Sequence, residues 1–350
     1  MVRGIGPRIG RELISICGSA PSLWTLSPSR LREIDGVGPK LVDALQKSTQ
    51  NSALAITDQC YKNNINIVCL EDDHYPEPLR ACEDAPLLLF VKGDLSALNG
   101  RQMLSVVGAR KASRESRVIA RRWSSYCSKR GVTIVSGMAY GVDAAAHGGA
   151  LEGEASTVAV LGCGLMALTE SQQRQVEAIA AQGCVISEYL PDLTARAEHF
   201  PQRNRIIAAL SQATLVIEAG LKSGSMITAG QALSYGREVL AVPGSVLNDA
   251  NAGCHQLIRD GATLIDSADD LLRHLGWTQQ TEKAEESYLP ADEQEAKILS
   301  VLRCEIMHLD GLADACGLTV TELSPSLLAL ELQGVIERLP GSRYSLGGKS

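Results

Sequence analysis

The central part of the chain alternates short apolar runs with segments that are apolar on one side only. Seven runs predict strands, at residues 104–107, 132–136, 157–161, 184–187, 214–218, 239–242 and 263–265. Segments between them, such as 116–130 and 225–236, have the spacing of amphipathic helices. Buried strands that alternate with helices indicate a mostly parallel sheet covered on both faces. We therefore predict a doubly wound, Rossmann-like α/β domain over residues 61–276, with ligands bound beyond the carboxyl ends of its strands.

Two segments near the start of the chain repeat one pattern. Residues 4–14 and 34–45 each have a Gly-apolar-Gly-Pro turn followed by an amphipathic helix. Such a turn exposes the first N–H groups of the helix, which resembles a helix-hairpin-helix (SAM-like) element that holds a nucleic-acid backbone. The alternative is a compact helical unit without a ligand. We expect a helical module over residues 1–60.

The end of the chain has a different pattern. Residues 277–290 are polar and acidic, and we interpret them as a linker. Three helices and a hairpin are predicted after it, at 293–302, 309–317, 321–334 and 335–346. This order indicates a winged-helix module over residues 291–350. Because its third helix contains Glu322 and Glu331 but no Lys or Arg, we favour a regulatory or protein-contact role. The alternative is a duplex-specific regulator whose central domain senses an effector.

Composition and charge limit the class of protein. Hydrophobic residues make up 45% of the chain and charged residues 21%, and the apolar runs are shorter than a membrane span. We therefore expect a cytoplasmic protein without membrane contact. The ten cysteines include no Cys-x-x-Cys pair, so we expect neither a metal site nor disulfides. The net charge is -7, yet residues 101–130 contain nine basic side chains and one acidic one, Glu115. A local basic face is therefore predicted within an acidic protein.

Polar and basic residues precede the apolar helix that starts near Ile206. Arg203, Asn204 and Arg205 lie in the first turn of this predicted helix, where cations oppose the helix macrodipole. A bound anion would offset that cost, because backbone N–H groups and two guanidinium groups would point at one phosphate. The alternative is that both arginines are solvated or paired with Glu188 or Glu198.

Other strand ends have turns rich in Gly and Ser. Arg110, Gly137, Gly141, Gly224 and Ser225 follow three different strands, and several phosphate-binding turns on one edge suit a polymer better than a single nucleotide. A dinucleotide fold needs Gly-x-Gly-x-x-Gly after the first strand, but the chain has GARKASRES there. The terminal GGKS has Arg343 in place of the first glycine of a phosphate-binding loop. We therefore expect no nucleotide cofactor.

Acid and base candidates are few in the central domain. Asp143 and His147 stand four residues apart on one helix, and Glu218 ends a strand. We favour structural roles, with Asp143 stabilised by the helix dipole and His147 a partly buried partner. We predict no catalytic residue.

The motifs as a set resemble one family, the DNA-processing protein A family (DprA, also called Smf). They cover about residues 70–270 in the family's order: YPEPLR, APLLLFVKGD, SVVGAR, VSGMAYGVDAAAHGGAL, TVAVLGCG, HFPQRNRIIAALSQATLVIEA, SGSMITAGQAL, GREVLAVPG and GCHQLIRDGATLI. The flanking modules also look like common additions in this family. In the family's first turn a Ser or Thr usually precedes the arginine, whereas this chain has Ala109.

The resemblance implies a cytoplasmic protein that binds single-stranded DNA without sequence preference. Such proteins protect incoming strands in natural transformation and load the RecA recombinase onto them. The implied contact residues are Arg110, Lys111, Ser136, Gly137, Phe200, Arg203, Asn204, Arg205, Ser223, Gly224 and Ser225. Phe200 would stack on a base, or serve in the core instead. The resemblance also implies a homodimer, with His255, Ile258 and Leu264 at the interface.

The main alternative is an enzyme of another class. A nucleotide-processing phosphoribohydrolase has a similar scaffold, and Glu218 would be its acid or base. Those enzymes have a Gly-Gly-x-Gly-Thr loop where this chain reads AGLKSGSMITA, which favours the DNA-binding interpretation.

Overall fold

The computed structural model describes residues 4–48, 50–277, 293–302, 307–332 and 335–346. The chain divides into two compact units, one up to residue 278 and one from residue 279. The predicted linker 277–290 lies outside the described residues except for Trp277, which is buried in the first unit.

The first unit begins with the expected helical module. Its helices are α1 (Pro7–Cys17), α2 (Pro28–Arg32), α3 (Pro39–Lys47) and α4 (Gln50–Lys62), with a 3-10 turn at Pro21–Trp24. Both α1 and α3 start at a proline after a Gly-x-Gly turn, whose first glycine has a φ of 93° at Gly4 and 78° at Gly36. The two copies of the repeat thus share one local structure.

The predicted boundary at residue 60 falls inside a helix. Cys60, near the end of α4, is buried in a cluster with Phe90 and Val185 of the central sheet. The earlier helices instead surround Leu13, Leu31 and Val42. The last turns of α4 therefore pack with the sheet.

A nine-stranded sheet forms the centre of the first unit. Its strands are β1 (Asn66–Cys69), β2 (Leu88–Gly93), β3 (Met103–Gly108), β4 (Thr133–Ser136), β5 (Thr157–Val160), β6 (Cys184–Ser187), β7 (Ala213–Ile217), β8 (Glu238–Ala241) and β9 (Thr263–Leu264). The helices are α5 (Glu77–Arg80), α6 (Arg114–Ser128), α7 (Val142–Ala150), α8 (Glu170–Ala180), α9 (His199–Leu210), α10 (Gly224–Ser234), α11 (Ala252–Arg259) and α12 (Ala268–His274). Two 3-10 turns lie at Leu95–Asn99 and Asp249–Asn251.

The strand order is β1-β2-β6-β5-β4-β3-β7-β8-β9. Strands β3 to β9 are parallel to one another, and β2 pairs antiparallel with β6 and with β1 at one edge. The seven predicted strands are confirmed as β3 to β9. The alternation of strands and helices starts after β2, and for that reason it does not predict β1 or β2. The order reverses at β3, which has β4 on one side and β7 on the other.

Helices cover both faces of the sheet, as predicted. Ile134 points to one face, where α6, α7 and α12 pack around Leu215 and Leu271. The next residue, Val135, points to the other face, where α9, α10 and α11 pack around Ile206. Both faces of the strands are therefore buried, as expected for a parallel sheet.

The second unit has the predicted winged-helix order. It contains α13 (Glu293–Leu302), β10 (Met307–His308), α14 (Leu309–Cys316), α15 (Val320–Leu332), β11 (Ile336–Leu339) and β12 (Arg343–Leu346). The strands pair antiparallel in the order β10-β12-β11. Ile298, Leu312, Leu327 and Ile336 form its core.

Among the described residues, no helix is both long and apolar enough to cross a bilayer. In the same residues, no group of His, Cys, Asp or Glu is arranged to hold a metal ion. The nine cysteines that the structure describes are free thiols, and Cys304 lies outside the described residues.

Candidate functional site

The carboxyl ends of β3 and β7 border a cavity of about 620 Å³. Because the strand order reverses at β3, this edge is where open α/β sheets bind ligands. Its walls come from the loop after β3, the first turns of α9, and the turn between β7 and α10. Seven of the eleven predicted contact residues line it, namely Arg110, Phe200, Arg203, Asn204, Ser223, Gly224 and Ser225. The structure thus brings together segments from distant parts of the chain.

Arg110 and Phe200 form one wall of the cavity. The Arg110 side chain is exposed, and its guanidinium carbon lies 4.8 Å from the centre of the Phe200 ring, which is a cation–π contact. Phe200 is half-buried and lines the cavity, so its ring lies at the rim and not in the core. No carboxylate among the described residues is within ion-pair distance of Arg110. Its charge is therefore available to a ligand.

Glu218 holds the loop that presents Arg110. Its backbone carbonyl accepts a hydrogen bond from Ala109 N at 2.8 Å. Its buried carboxylate accepts from Ser113 N at 3.0 Å and from Ser116 Oγ at 2.6 Å. Glu218 itself has a φ of +52°, which is unusual for a residue with a side chain. Both ends of the Arg110 loop are thus tied to one residue, and the carboxylate is occupied by this structural task.

Arg203 lies in the floor of the cavity. The residue is 3% exposed, and its Nη1 donates to Gly137 O at 2.6 Å and to Val160 O. Burial lowers the pKa of Arg203 to about 10, and the attraction of Asp143 opposes this shift. Arg203 therefore remains charged at neutral pH. It joins the ends of β4 and β5 to α9 beneath the cavity.

Arg205 does not line the cavity. Its Nη1 donates to Asp84 O at 2.8 Å, its Nη2 pairs with the Glu188 carboxylate, and its Nε lies 3.9 Å from Asp84 Oδ2. The expected convergence of two guanidinium groups on one phosphate is therefore not what the structure shows. The Arg205 charge is balanced by carboxylates, as the alternative interpretation stated. Contact between Arg205 and DNA stays a prediction that this geometry does not favour.

The turn before α10 places the N-terminal end of that helix at the cavity. Ser223 Oγ caps α10 by accepting from Ser225 N at 3.4 Å, and Asn204 Nδ2 donates to Gly224 O at 3.3 Å. The positive end of the α10 dipole therefore faces the cavity. Lys222, an exposed side chain in the same turn, also lines the cavity.

Three predicted contact residues lie elsewhere. Ser136 is fully buried, and its hydroxyl donates to Val106 O at 2.7 Å, so it joins β4 to β3 and does not reach the cavity. Lys111 is exposed next to Arg110 but does not line the cavity. Gly137 lines a smaller cavity of about 190 Å³, which shares the wall of Arg110 and Phe200.

Asp143 and His147 are both buried near the cavity floor. Burial raises the pKa of Asp143, and the nearby Arg203 charge opposes this shift. Burial lowers the pKa of His147 to about 4, and its Nδ1 lies 2.8 Å from the Thr157 hydroxyl. His147 is therefore neutral at physiological pH and bonded within the core. The sequence predicted a partly buried His147, whereas the residue is 3% exposed and contacts Thr157 of β5.

Comparisons with known proteins identify the family. The profile of the DNA recombination-mediator protein A family matches residues 66–276, and that of the DprA winged helix domain matches residues 282–342. This chain belongs to the DNA recombination-mediator protein A family. It is 37% identical to Protein Smf of Escherichia coli K12 over 292 residues, which cover 81% of this chain and 78% of that protein. DNA processing protein DprA of Streptococcus pneumoniae R6 is 41% identical over 202 residues, 57% of this chain and 71% of the relative.

Solved structures of the family have the same fold. The X-ray structure of DprA from Streptococcus pneumoniae matches with a TM-score of 0.69 and 33% identity, covering 77% of this chain and 93% of that one. A structure that describes the single-stranded DNA binding mode of DprA from Helicobacter pylori matches with a TM-score of 0.54 and 28% identity, covering 60% of this chain and 95% of that one.

The cavity also contains a cation that the sequence analysis did not predict. Lys222 was not among the residues predicted from the sequence, although a cation inside a Gly- and Ser-rich turn is a usable signal.

The three residues expected at a dimer interface lie in α11 and β9. His255 Nε2 lies 3.0 Å from Gly244 O, Ile258 packs partly into the core, and Leu264 is 45% exposed on the edge strand.

Proposed function

We propose that this protein binds single-stranded DNA without sequence preference in the cytoplasm, protects incoming strands in natural transformation, and loads RecA onto them, without catalysis of its own. The observation that carries the proposal is the cavity at the reversal of strand order. It combines the exposed cations Arg110 and Lys222 with the N-terminal end of α10. A relative with this fold, DNA processing protein A from Helicobacter pylori, has been described for its single-stranded DNA binding mode.

Two properties of the cavity support a single strand as the ligand. Its exposed charged groups are the cations Arg110 and Lys222, which contact phosphates and carry no sequence information, whereas the Asp143 carboxylate that also lines it is buried. The ring of Phe200 stands beside them, and Tyr140, 80% exposed, lines the neighbouring smaller cavity. Aromatic faces stack on bases of any sequence, but only when those bases are unpaired. The combination therefore favours single strands over duplex.

A gel-shift competition tests this proposal. We expect a labelled single strand to bind, unlabelled single strand to compete, and duplex and mononucleotides to compete poorly. Arg110→Gln should weaken binding by about tenfold and make the salt dependence shallower by about 0.7, the value for one lost phosphate contact on a single strand. Lys62→Gln removes an exposed charge at the far end of α4 and should change neither. Equal competition by mononucleotides would overturn the proposal.

We further propose that the protein acts as a homodimer through α11 and β9. The support is that Leu264 is exposed on a two-residue edge strand, whose outer backbone groups have no neighbouring strand in the sheet. Two linked cavities raise the avidity for one long strand through effective concentration. Sedimentation of the wild type against Leu264→Glu tests this. A wild type that sediments as a monomer at micromolar concentration would contradict it.

A further inference from the structure

The first two turns of α6 present basic side chains to solvent. Arg114, Arg117, Arg121 and Arg122 are all exposed, and at 3.6 residues per turn they fall within an arc of about 140°. Arg121 pairs with Glu152. In the part of the chain that the structure describes, the other three have no carboxylate within ion-pair distance. We call these three residues, Arg114, Arg117 and Arg122, the α6 basic face.

This charge does not stabilise the helix. Cations near a helix N-terminus oppose the macrodipole, and like charges three or four residues apart repel each other. The dipole is instead balanced by Glu115 in the first turn, by the Glu218 carboxylate and by Ser113, which caps α6. A general excess of basic residues does not explain the cluster either, because the protein as a whole is acidic, with a net charge of -7. An anionic partner would account for it.

The α6 basic face is continuous with the cavity. Helix α6 begins four residues after Arg110, and Arg117 Nε donates to Ser113 O, so its side chain lies back toward the N-terminal end of the helix. From Arg114 to Arg122 the axis extends about 12 Å away from the cavity. A cavity of about 620 Å³ has the size of a drug-sized ligand site. A longer strand must therefore continue over the protein surface.

The distribution of acidic residues indicates in which direction the strand leaves the cavity. On the side of α9, the carboxylates of Asp84 and Glu198 are 46% and 65% exposed, and Glu198 pairs with Arg196. Arg205 on that side is already paired. A phosphate chain that left over α9 would meet acids that are already in ion pairs, whereas one that left over α6 would meet the three arginines of the α6 basic face and one exposed carboxylate, Glu115.

We propose that the α6 basic face binds the phosphate backbone of the single strand where it leaves the cavity, and so extends the binding site along α6. This inference rests on the proposed function of the cavity. Backbone contacts of this kind add affinity in proportion to strand length and to the number of phosphates neutralised. A strand that fills the cavity alone gains nothing from them.

The test compares oligothymidines of about 6 and about 30 nucleotides, lengths that span the usual site sizes of single-strand binders. The variant is Arg114→Gln/Arg117→Gln/Arg122→Gln, which keeps good helix formers on α6. For the longer strand we expect affinity to fall by tenfold or more and the slope of log K against log salt to become shallower by about 2, three contacts at about 0.7 each. For the shorter strand we expect no change.

A control variant removes the same charge elsewhere. Lys62→Gln/Arg101→Gln/Arg338→Gln also takes the net charge from -7 to -10 (-7 - 3), and all three residues are exposed. Arg101 belongs to the same basic segment but precedes β3, at the opposite edge of the sheet from the cavity. This variant should bind both strands like the wild type.

The possible outcomes separate the two proposals. Loss of affinity for the longer strand alone supports the α6 basic face. No loss, equal loss for both lengths, or equal loss in the control overturns it while leaving the cavity in place. If the wild type binds neither length, the proposed function itself fails.

Discussion

Replacing Glu218 by Gln tests how the Arg110 loop is held. The variant keeps the size of the side chain but removes the charge that accepts from Ser113 N and Ser116 Oγ. Hydrogen bonds to charged acceptors contribute about 1.5–3 kcal/mol and those to neutral acceptors about 0.5–1.5 kcal/mol. With two donors, the free energy of unfolding should fall by about 2 kcal/mol. The residue is 4% exposed, so solvent does not screen this effect.

The assay measures stability and binding of the same protein. Urea unfolding should report the loss of stability, and single-strand affinity should fall by about tenfold because Arg110 is no longer held against Phe200. In an Arg110→Ala background the same change should cost no further affinity. This double-mutant cycle separates positioning of Arg110 from general loss of fold.

Glu177→Gln serves as the matched control. Glu177 pairs with Lys92 on the surface, where an ion pair contributes about 0–1 kcal/mol. If Glu218→Gln changes neither stability nor affinity, or weakens binding equally without Arg110, the positioning role is refuted. Release of a free base from nucleoside monophosphates by the wild type, abolished in Glu218→Gln, would favour the phosphoribohydrolase alternative instead.

Two further predictions concern the cavity floor. The pKa of His147, about 4 in the folded state against about 6.5 unfolded, means that the unfolded chain takes up the proton first as the pH falls. From pH 7 to pH 5 the wild type should therefore lose about 2 kcal/mol more stability than His147→Asn in urea unfolding, and equal losses would contradict this. In Gly137→Ala the new Cβ would lie 2.4 Å from Arg203 Nη1, so a buried charge loses its partners. The melting temperature and single-strand affinity should both fall, whereas Gly230→Ala, with no atom within 4 Å of its Cβ, should preserve both.

The fold was largely predictable from local pattern. Each of β3 to β9 is apolar on both faces because helices cover both sides of a parallel sheet, and this leaves a signal in the sequence. The antiparallel strand β2 has similar apolar residues, but it is not flanked by helical repeats. The position of the cavity was predictable from the same pattern, since the carboxyl ends of parallel strands share one edge of the sheet.

The pair Arg203 and Arg205 shows where the observed geometry differs from the expected convergence on one phosphate. Residues two apart on a helix point about 200° from each other, so both side chains cannot face one phosphate. Arg203 lies against Gly137 O, and Arg205 points toward Glu188. The helical spacing of the two arginines is therefore enough to indicate that their side chains face different sides of α9.

Local pattern was enough to predict which turns meet at the edge of the sheet, because strand order and the handedness of the crossovers leave few arrangements. Which cations remain free depends on contacts between distant segments of the folded chain. Asp84, whose backbone carbonyl and carboxylate both lie near Arg205, is 121 residues away in the chain, and Glu218, which holds the loop of Arg110, lies 105 residues from its partner Ser113. Charge pairing depends on distance in space, and chain position does not encode it when the partners come from separate elements.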